Sequence, residues 1–149
     1  MPANQAWHAQ MQAVHRGDWD AVPGYFAPDC TWTLMPPGTT FRGRAEIVAF
    51  MRGGFGASAE RAEPEVRNDF ATDDRGVFEY TSRGVIDAQR AAQFAAQLGI
   101  AGSGGDELAG QLEGQPFEVQ VCFVYHVNAD SLIDQVNEYA AMPPLPALP

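Results

Sequence analysis

Pro116-Phe-Glu-Val-Gln-Val-Cys-Phe-Val-Tyr-His-Val127, then Asn128-Ala-Asp-Ser131, then Leu132-Ile-Asp-Gln-Val-Asn-Glu-Tyr-Ala140 is the stretch that decides the fold. In its first arm Phe117, Val119, Val121, Phe123, Tyr125 and Val127 fall at every second place. That period marks a strand with one strongly apolar face. The second arm returns after a turn, so the pair reads as a hairpin. Loop length then sets which side chains share a face. A loop of four residues opposes Val127 to Leu132, Tyr125 to Asp134, Phe123 to Val136, Val121 to Glu138 and Val119 to Ala140. Opposed residues project from the same side of a sheet, so Asp134 and Glu138 would stand on the aromatic face. A loop of three slips the register by one and puts Ile133, Gln135, Asn137 and Tyr139 there instead.

Outward from this hairpin, the chain has 149 residues, enough for a single domain with a sizeable core. Hydrophobic residues make up 46% and aromatics 11%, the composition of a packed globule. No apolar run approaches the roughly 20 residues needed to span a bilayer. Met1-Pro-Ala-Asn-Gln5 lacks the basic and apolar regions of a signal peptide, so a cytoplasmic location is expected. The net charge is −10 and all 9 basic residues are arginine. Without lysine there is no Schiff-base chemistry and no lysine-bearing phosphate loop. An acidic chain is also a poor partner for nucleic acid, which needs a basic surface. Cys30 and Cys122 form no CxxC pair and read as buried, reduced thiols.

The spacing of Trp7, Met11 and Val14 predicts a helix over 4–16, ended by Gly17 in a left-handed conformation. Asp18 caps a short second helix over 19–26, distorted by Pro23-Gly24. A strand follows over 30–35, stopped by Pro36-Pro37-Gly38. Phe41-Arg-Gly43 leads into a third helix over 44–52. Two strands, 65–72 and 77–87, are joined by Asp73-Asp-Arg-Gly76. Residues 88–114 interrupt the pattern. An alanine-rich helix over 88–98 is followed by a flexible Gly99–Gly105 stretch and a short helix over 107–112 capped by Asp106. Four prolines in 142–149 make an extended tail. This order predicts an α+β fold, a curved and mostly antiparallel sheet with helices on one face and a helical insertion between two strands.

Gly17-Asp18, Ala27-Pro-Asp29, Pro36-Pro-Gly38, Gly43-Arg-x-x-Ile-x-x-Phe50 and Ile133-x-x-x-Asn-Glu-Tyr139 occur in an order that resembles the nuclear transport factor 2-like superfamily. Within it the chain is similar to the SnoaL-like polyketide cyclase and ketosteroid isomerase branch. The resemblance covers nearly everything except 88–114 and implies a cone, a bent sheet around three helices with an apolar pocket inside. Carried over residue by residue, it puts Trp7, Gln10 and Val14 in that pocket from the first helix. Trp32 and Leu34 join from the first strand, with Met51 and Phe55 from the third helix. Phe78, Tyr80 and Ser82 follow, then Val119, Val121, Phe123 and Tyr125. Asp134, Val136, Glu138 and Ala140 come from the last strand.

The chain also departs from the pattern. Gln10 stands where the isomerases have a tyrosine, and Leu34 and Phe123 stand where they have their two acids. Ala140-Ala141-Met142 replaces the acid of the cyclases. Arg83-Gly-Val85 does not match the Arg-x-Asp of limonene epoxide hydrolase-like members.

What remains is Glu138. A carboxylate beside Val121, Val136 and Ala140 is desolvated, which raises its pKa and suits it to take a carbon-bound proton. Tyr80 or Tyr125 can donate a hydrogen bond to the oxyanion that develops. Asp134 lies nearer the turn, at the mouth or surface, and with Glu138 offers a second chemistry, water activation in a hydrolase or hydratase. His8 and His15 are too far apart along one helix to share a metal, so no metal and no cofactor is expected. His126, opposite the aromatic face, points to a homodimer interface. The 88–114 insertion reads as a lid with Phe94 and Leu98 turned to the pocket, or as a dimer arm. The expectation is a cofactor-free enzyme doing acid/base chemistry (isomerase, cyclase or lyase) on a small apolar, cyclic or aromatic molecule. Its rival is a ligand-binding or assembly module without chemistry.

Overall fold

The computed structural model describes residues 2–35, 38–55, 65–97 and 99–141, apart from the side chains of residues 54, 55, 93, 94 and 97. Its helices are α1 (Asn4–Arg16), α2 (Gly43–Phe55), α3 (Ala88–Gln97) and α4 (Gly102–Leu112). Its strands are β1 (Phe26–Met35), β2 (Thr39–Arg42), β3 (Glu65–Ala71), β4 (Arg75–Val85), β5 (Pro116–Val127) and β6 (Ile133–Ala140). They form one six-stranded sheet in the order β2-β1-β6-β5-β4-β3. The β1–β6 pair is parallel and the rest are antiparallel. The fold is α+β with an open sheet.

Local chemistry explains the ends of α1. The amide of Ala3 donates to the Thr72 carbonyl at 2.9 Å, pinning the helix start to the β3–β4 hairpin. Gly17 closes the helix at φ 70°, and its amide and that of Asp18 satisfy the Val14 and Ala13 carbonyls. Trp7, Gln10 and Ala13, three residues apart, form the buried stripe. The expected second helix shrinks to a 3-10 turn over Val22–Tyr25, because Pro23 cannot donate into an α-helix. Asp18 still accepts from the Ala21 amide at 3.3 Å. The strand after it starts earlier than its β-formers suggest, at Phe26. β2 takes the place of the expected lead-in to the third helix. At the start of α2 the Glu46 carboxylate accepts the Arg42 amide at 2.7 Å, satisfying a donor the helix leaves free.

Registers across the sheet define its inner face row by row. Trp32, Val136, Tyr125, Gly76 and Ala71 form one row. Leu34, Glu138, Phe123, Phe78 and Asp69 form the next. Ala140, Val121 and Tyr80 form the third. The main core lies between this face and the helices, with Trp7, Ala13, Ile47 and Met51 packed against Trp32, Phe123, Tyr125 and Val136.

The insertion folds as a helical pair. The stretch expected to be flexible is largely helical, since α4 begins at Gly102 and not at Glu107. Its Leu108 and Leu112 join Ala91, Ala95, Ile86 and Phe117 in a second apolar cluster. Only the half-buried Val119 packs against both clusters among the described residues. A narrow neck carries the pair. Ile86 and Gln115 exchange one bond of 2.9 Å, and the Gly114 amide donates to the Ile86 carbonyl at 2.8 Å. Phe94 and Leu98, read above as pocket-facing, lie outside the described side chains.

Candidate active site

The β5–β6 hairpin takes neither of the two registers expected for it. Asn128 organises the loop. Its amide donates to the Leu132 carbonyl at 2.9 Å, and its side-chain oxygen accepts the amides of Asp130 and Leu132 at 3.0 and 3.1 Å. Ser131 adopts φ 62° to complete it. Val127 then opposes Ile133, and a bulge follows, with His126 opposite Gln135. Asp134 is the extra residue. Tyr125 therefore faces Val136, and Phe123 faces Glu138. A five-residue loop alone would turn the odd-numbered residues of β6 inward. The bulge restores the even ones.

Glu138 is thereby placed on the inner face, between Phe123 on β5 and Leu34 on β1. The indole N–H of Trp32 donates to its Oε2 at 2.8 Å. Burial pushes the Glu138 carboxyl above its ordinary value, and the Trp32 bond pulls partly against that shift. Trp32 is itself fixed by edge contacts with Phe123 and Phe50, at 5.6 and 6.0 Å between ring centroids. The half-buried carboxylate thus has an indole donor and an apolar surround, the conditions for a base stronger than a solvated glutamate.

Asp134 goes the other way, which corrects its expected place beside Tyr125 on the aromatic face. Its Oδ1 meets His126 Nδ1 at 2.5 Å, and His126 Nε2 lies 3.8 Å from Asp74. His126 and Asp134 line a cleft of about 330 Å³ with Asp29, Thr31, Arg75 and Gln135, on the outer side of the sheet. Asp134 and Glu138 leave opposite faces, so the water-activating pair imagined for a hydrolase cannot form.

The other candidates sit as follows. Trp7, Gln10, Trp32, Met51, Phe78, Val121, Phe123, Tyr125 and Val136 are buried. Val14, Leu34, Tyr80, Ser82, Val119 and Ala140 are half-buried. The Phe55 side chain lies outside the described residues. Tyr80 stacks near Phe123 at 5.9 Å, one row from Glu138. Tyr125 stacks on Trp7 at 4.5 Å and 8°. Its phenol crosses β4 where Gly76 has no side chain; a Cβ there would lie 2.2 Å from Tyr125 Cζ and Oη. Burial first, and the Asp69 charge second, raise the Tyr125 pKa, so the phenol stays a donor.

Sequence reading missed a partner on this side: His8 Nε2 lies 2.7 Å from Asp69 Oδ2, tying α1 to the edge strand β3. No local motif joins these two residues, so only the fold could pair them. Both cysteines are free, and burial raises their thiol pKa values, which disfavours the reactive thiolate form.

The model of the SnoaL-like domain matches residues 7–136, most of the chain. The chain belongs to the SnoaL-like family. Solved structures of similar fold agree. An NTF2-like protein from Burkholderia xenovorans LB400 aligns over 93% of this chain and 88% of its own, at TM-score 0.66 and 19% identity. A candidate SnoaL-like polyketide cyclase from Shewanella denitrificans OS-217 aligns over 93% and 90%, at TM-score 0.64 and 14% identity. A candidate ketosteroid isomerase from Kribbella flavida aligns over 99% and 83%, at TM-score 0.61 and 10% identity. At these identities the likeness carries the SnoaL-like fold alone. No curated protein matches the chain. No helix among the described residues is long and apolar enough to cross a membrane.

Proposed function

We propose that this SnoaL-like protein is a cofactor-free enzyme of general acid/base chemistry, an isomerase, cyclase or lyase acting on a small apolar, cyclic or aromatic molecule. The observation that carries this reading is Glu138, a desolvated carboxylate on one indole hydrogen bond, set among Leu34, Phe123 and Phe78. Its carboxylate removes a proton from carbon. The bonding pair moves into an enolate, whose charge gathers on oxygen. Tyr80 or Tyr125 donates a hydrogen bond to that oxygen. Glu138, now neutral, returns the proton to a different carbon in an isomerisation, or the enolate closes on or expels a neighbouring group. The test is Glu138→Gln, which keeps shape and removes the base. Turnover should fall by about two to four orders of magnitude; unchanged turnover sinks the assignment.

A second reading is a ligand-binding module that performs no reaction. It draws on Gln10, Leu34 and Phe123, which stand where related isomerases have their tyrosine and acids. A screen of ring ketones for solvent deuterium uptake separates the two, since only the enzyme exchanges carbon-bound hydrogen. The outer sheet face, with Val124 and Tyr139 exposed at 37% and 43%, suits a homodimer contact in a cytoplasmic protein. The α3–α4 pair, on its narrow neck, suits a lid. Membranes and nucleic acid have no part in this reading.

A further inference from the structure

A second cluster of titratable groups lies on the outer face, away from Glu138. The registers build it. His126 on β5 stands opposite Arg75 on β4 and Gln135 on β6, and Gln135 stands opposite Thr31 on β1. Opposed residues of antiparallel strands are about 5 Å apart at Cβ, so Arg75 and Gln135 can both reach what His126 reaches. The bulge adds Asp134 to this row, with its Oδ1 2.5 Å from His126 Nδ1. An ionised carboxylate only accepts, so Nδ1 carries the proton and Nε2 of the neutral ring keeps its lone pair. Nε2 lies 3.8 Å from Asp74 Oδ2, too far for a hydrogen bond between them. A water oxygen fits that gap at about 2.8 Å from each, donating one O–H to Nε2 and the other to Asp74. Thr31, Arg75, His126, Asp134 and Gln135 line the cleft of about 330 Å³ together with Asp29.

A base fixed by an acid, a place for water at that base and two donors beside it are the parts of a hydrolytic site. We propose that this outer cleft hydrolyses small carboxylic esters that carry no negative charge, an activity separate from that of Glu138 on the other face. His126 Nε2 takes a proton from the water as the water oxygen bonds to the ester carbonyl carbon. The π pair moves to the carbonyl oxygen, which accepts from the Arg75 guanidinium and the Gln135 amide. That pair then returns, the bond to the alcohol oxygen breaks, and His126 gives its proton to the leaving alkoxide. Ester and water become acid and alcohol. Asp134 is a positioning residue, since it touches the ring and not the ester. Asp29, Asp74 and Asp134 outnumber Arg75, which turns anionic esters away.

The experiment follows nitrophenolate release from 4-nitrophenyl acetate, with mono-4-nitrophenyl glutarate as the anionic probe. The wild-type protein should turn over the neutral ester with a kcat/KM about tenfold or more above that for the anionic one. His126→Gln should lower kcat/KM about a hundredfold. Asp134→Asn, which favours the wrong ring tautomer, should lower kcat about tenfold or more and leave KM unchanged. Asp74→Asn and Arg75→Gln, at exposed positions, should each lower kcat/KM about tenfold with circular dichroism unchanged, so the test stands even if His126→Gln fails to fold. A normal solvent deuterium isotope effect on kcat should mark the proton in flight. His8→Gln removes another partly exposed histidine and should change nothing. The proposal is overturned if His126→Gln is as fast as the wild type, or if His8→Gln loses as much. It is equally overturned if Asp74→Asn and Arg75→Gln keep the full rate. A burst of one nitrophenolate per chain also overturns it, since His126 would then be the acylated nucleophile and not a base acting on water.

Discussion

The Trp32–Glu138 hydrogen bond should strengthen as pH rises, and a double-mutant cycle can measure it. The structure sets the magnitude. The bond is 2.8 Å long, its donor is 1% exposed, and its acceptor is desolvated. Below the Glu138 titration it is a neutral bond, worth about 0.5–1.5 kcal/mol. Above it the acceptor is a carboxylate, and the bond is worth about 1.5–3 kcal/mol. The cycle pairs Trp32→Phe, which keeps a ring but loses the N–H, with Glu138→Met, which keeps length but loses the acceptor. Packing losses at each site cancel in the coupling term, provided each single variant folds. Urea unfolding of the four proteins, well below and well above the Glu138 titration, gives that coupling twice. It should rise by about 1 kcal/mol or more between the two conditions. Carboxyl NMR should show the Glu138 midpoint moving to higher pH in Trp32→Phe, because the carboxylate has lost its donor. A coupling that is near zero, or equal at both conditions, would refute the claim that this bond holds a buried charge.

Three more expectations follow from the same geometry. Wild-type stability should fall as pH rises from the ordinary glutamate range through the raised Glu138 value, because the folded state holds the proton longer than the unfolded chain does; Glu138→Gln should flatten that slope in a urea series. Gly76→Ala should cost about 1–3 kcal/mol in urea unfolding, since its Cβ would meet the Tyr125 ring at 2.2 Å and push the phenol out of place. Deleting 89–113 and bridging the neck should leave the fold intact by circular dichroism, because among the described residues only Val119 packs against both the insertion's cluster and the main core. If the pair is a lid, turnover falls in that deletion while subunit mass in solution is unchanged; a lost dimer with full activity per subunit makes it an arm instead.

The strands and α1 were legible because their periods are strong and their stops are chemical. Alternation from Phe117 to Val127 admits one reading, and Gly17 ends α1 where its φ of 70° costs nothing. What escaped the sequence were features set by distant partners. β2 is only four residues long and gains its hydrogen bonds from β1. Gly102–Gly105 looks like a linker, and it is helical because Leu108 and Leu112 bury against Ala91, Ala95 and Phe117.

The last strand shows the same limit at the site itself. Glu138 was expected inward on a four-residue loop, and it is inward on a five-residue loop followed by one bulged residue. Two one-residue departures cancel in the parity that governs faces, and only positions near the bulge expose the difference. Asp134 is that position, and it was misplaced for this reason. A bulge leaves no mark in an alternation pattern when the residue it displaces is polar and a polar neighbour follows, as Asp134-Gln135 do. The compensation comes from the far side of the sheet, where His126 receives the displaced carboxylate. His126→Ala would remove that receiver, and Asp134 would lose its nearest reason to stay outside. If the bulge is held by this contact, the variant lets the last strand slip, and Glu138 loses its indole partner although neither residue has changed. Amide hydrogen exchange along β6 would report the slip, and the Glu138 carboxyl titration would fall back toward that of a solvated glutamate. Should both stay as in the wild type, the bulge is held by the Asn128 loop and not by the histidine.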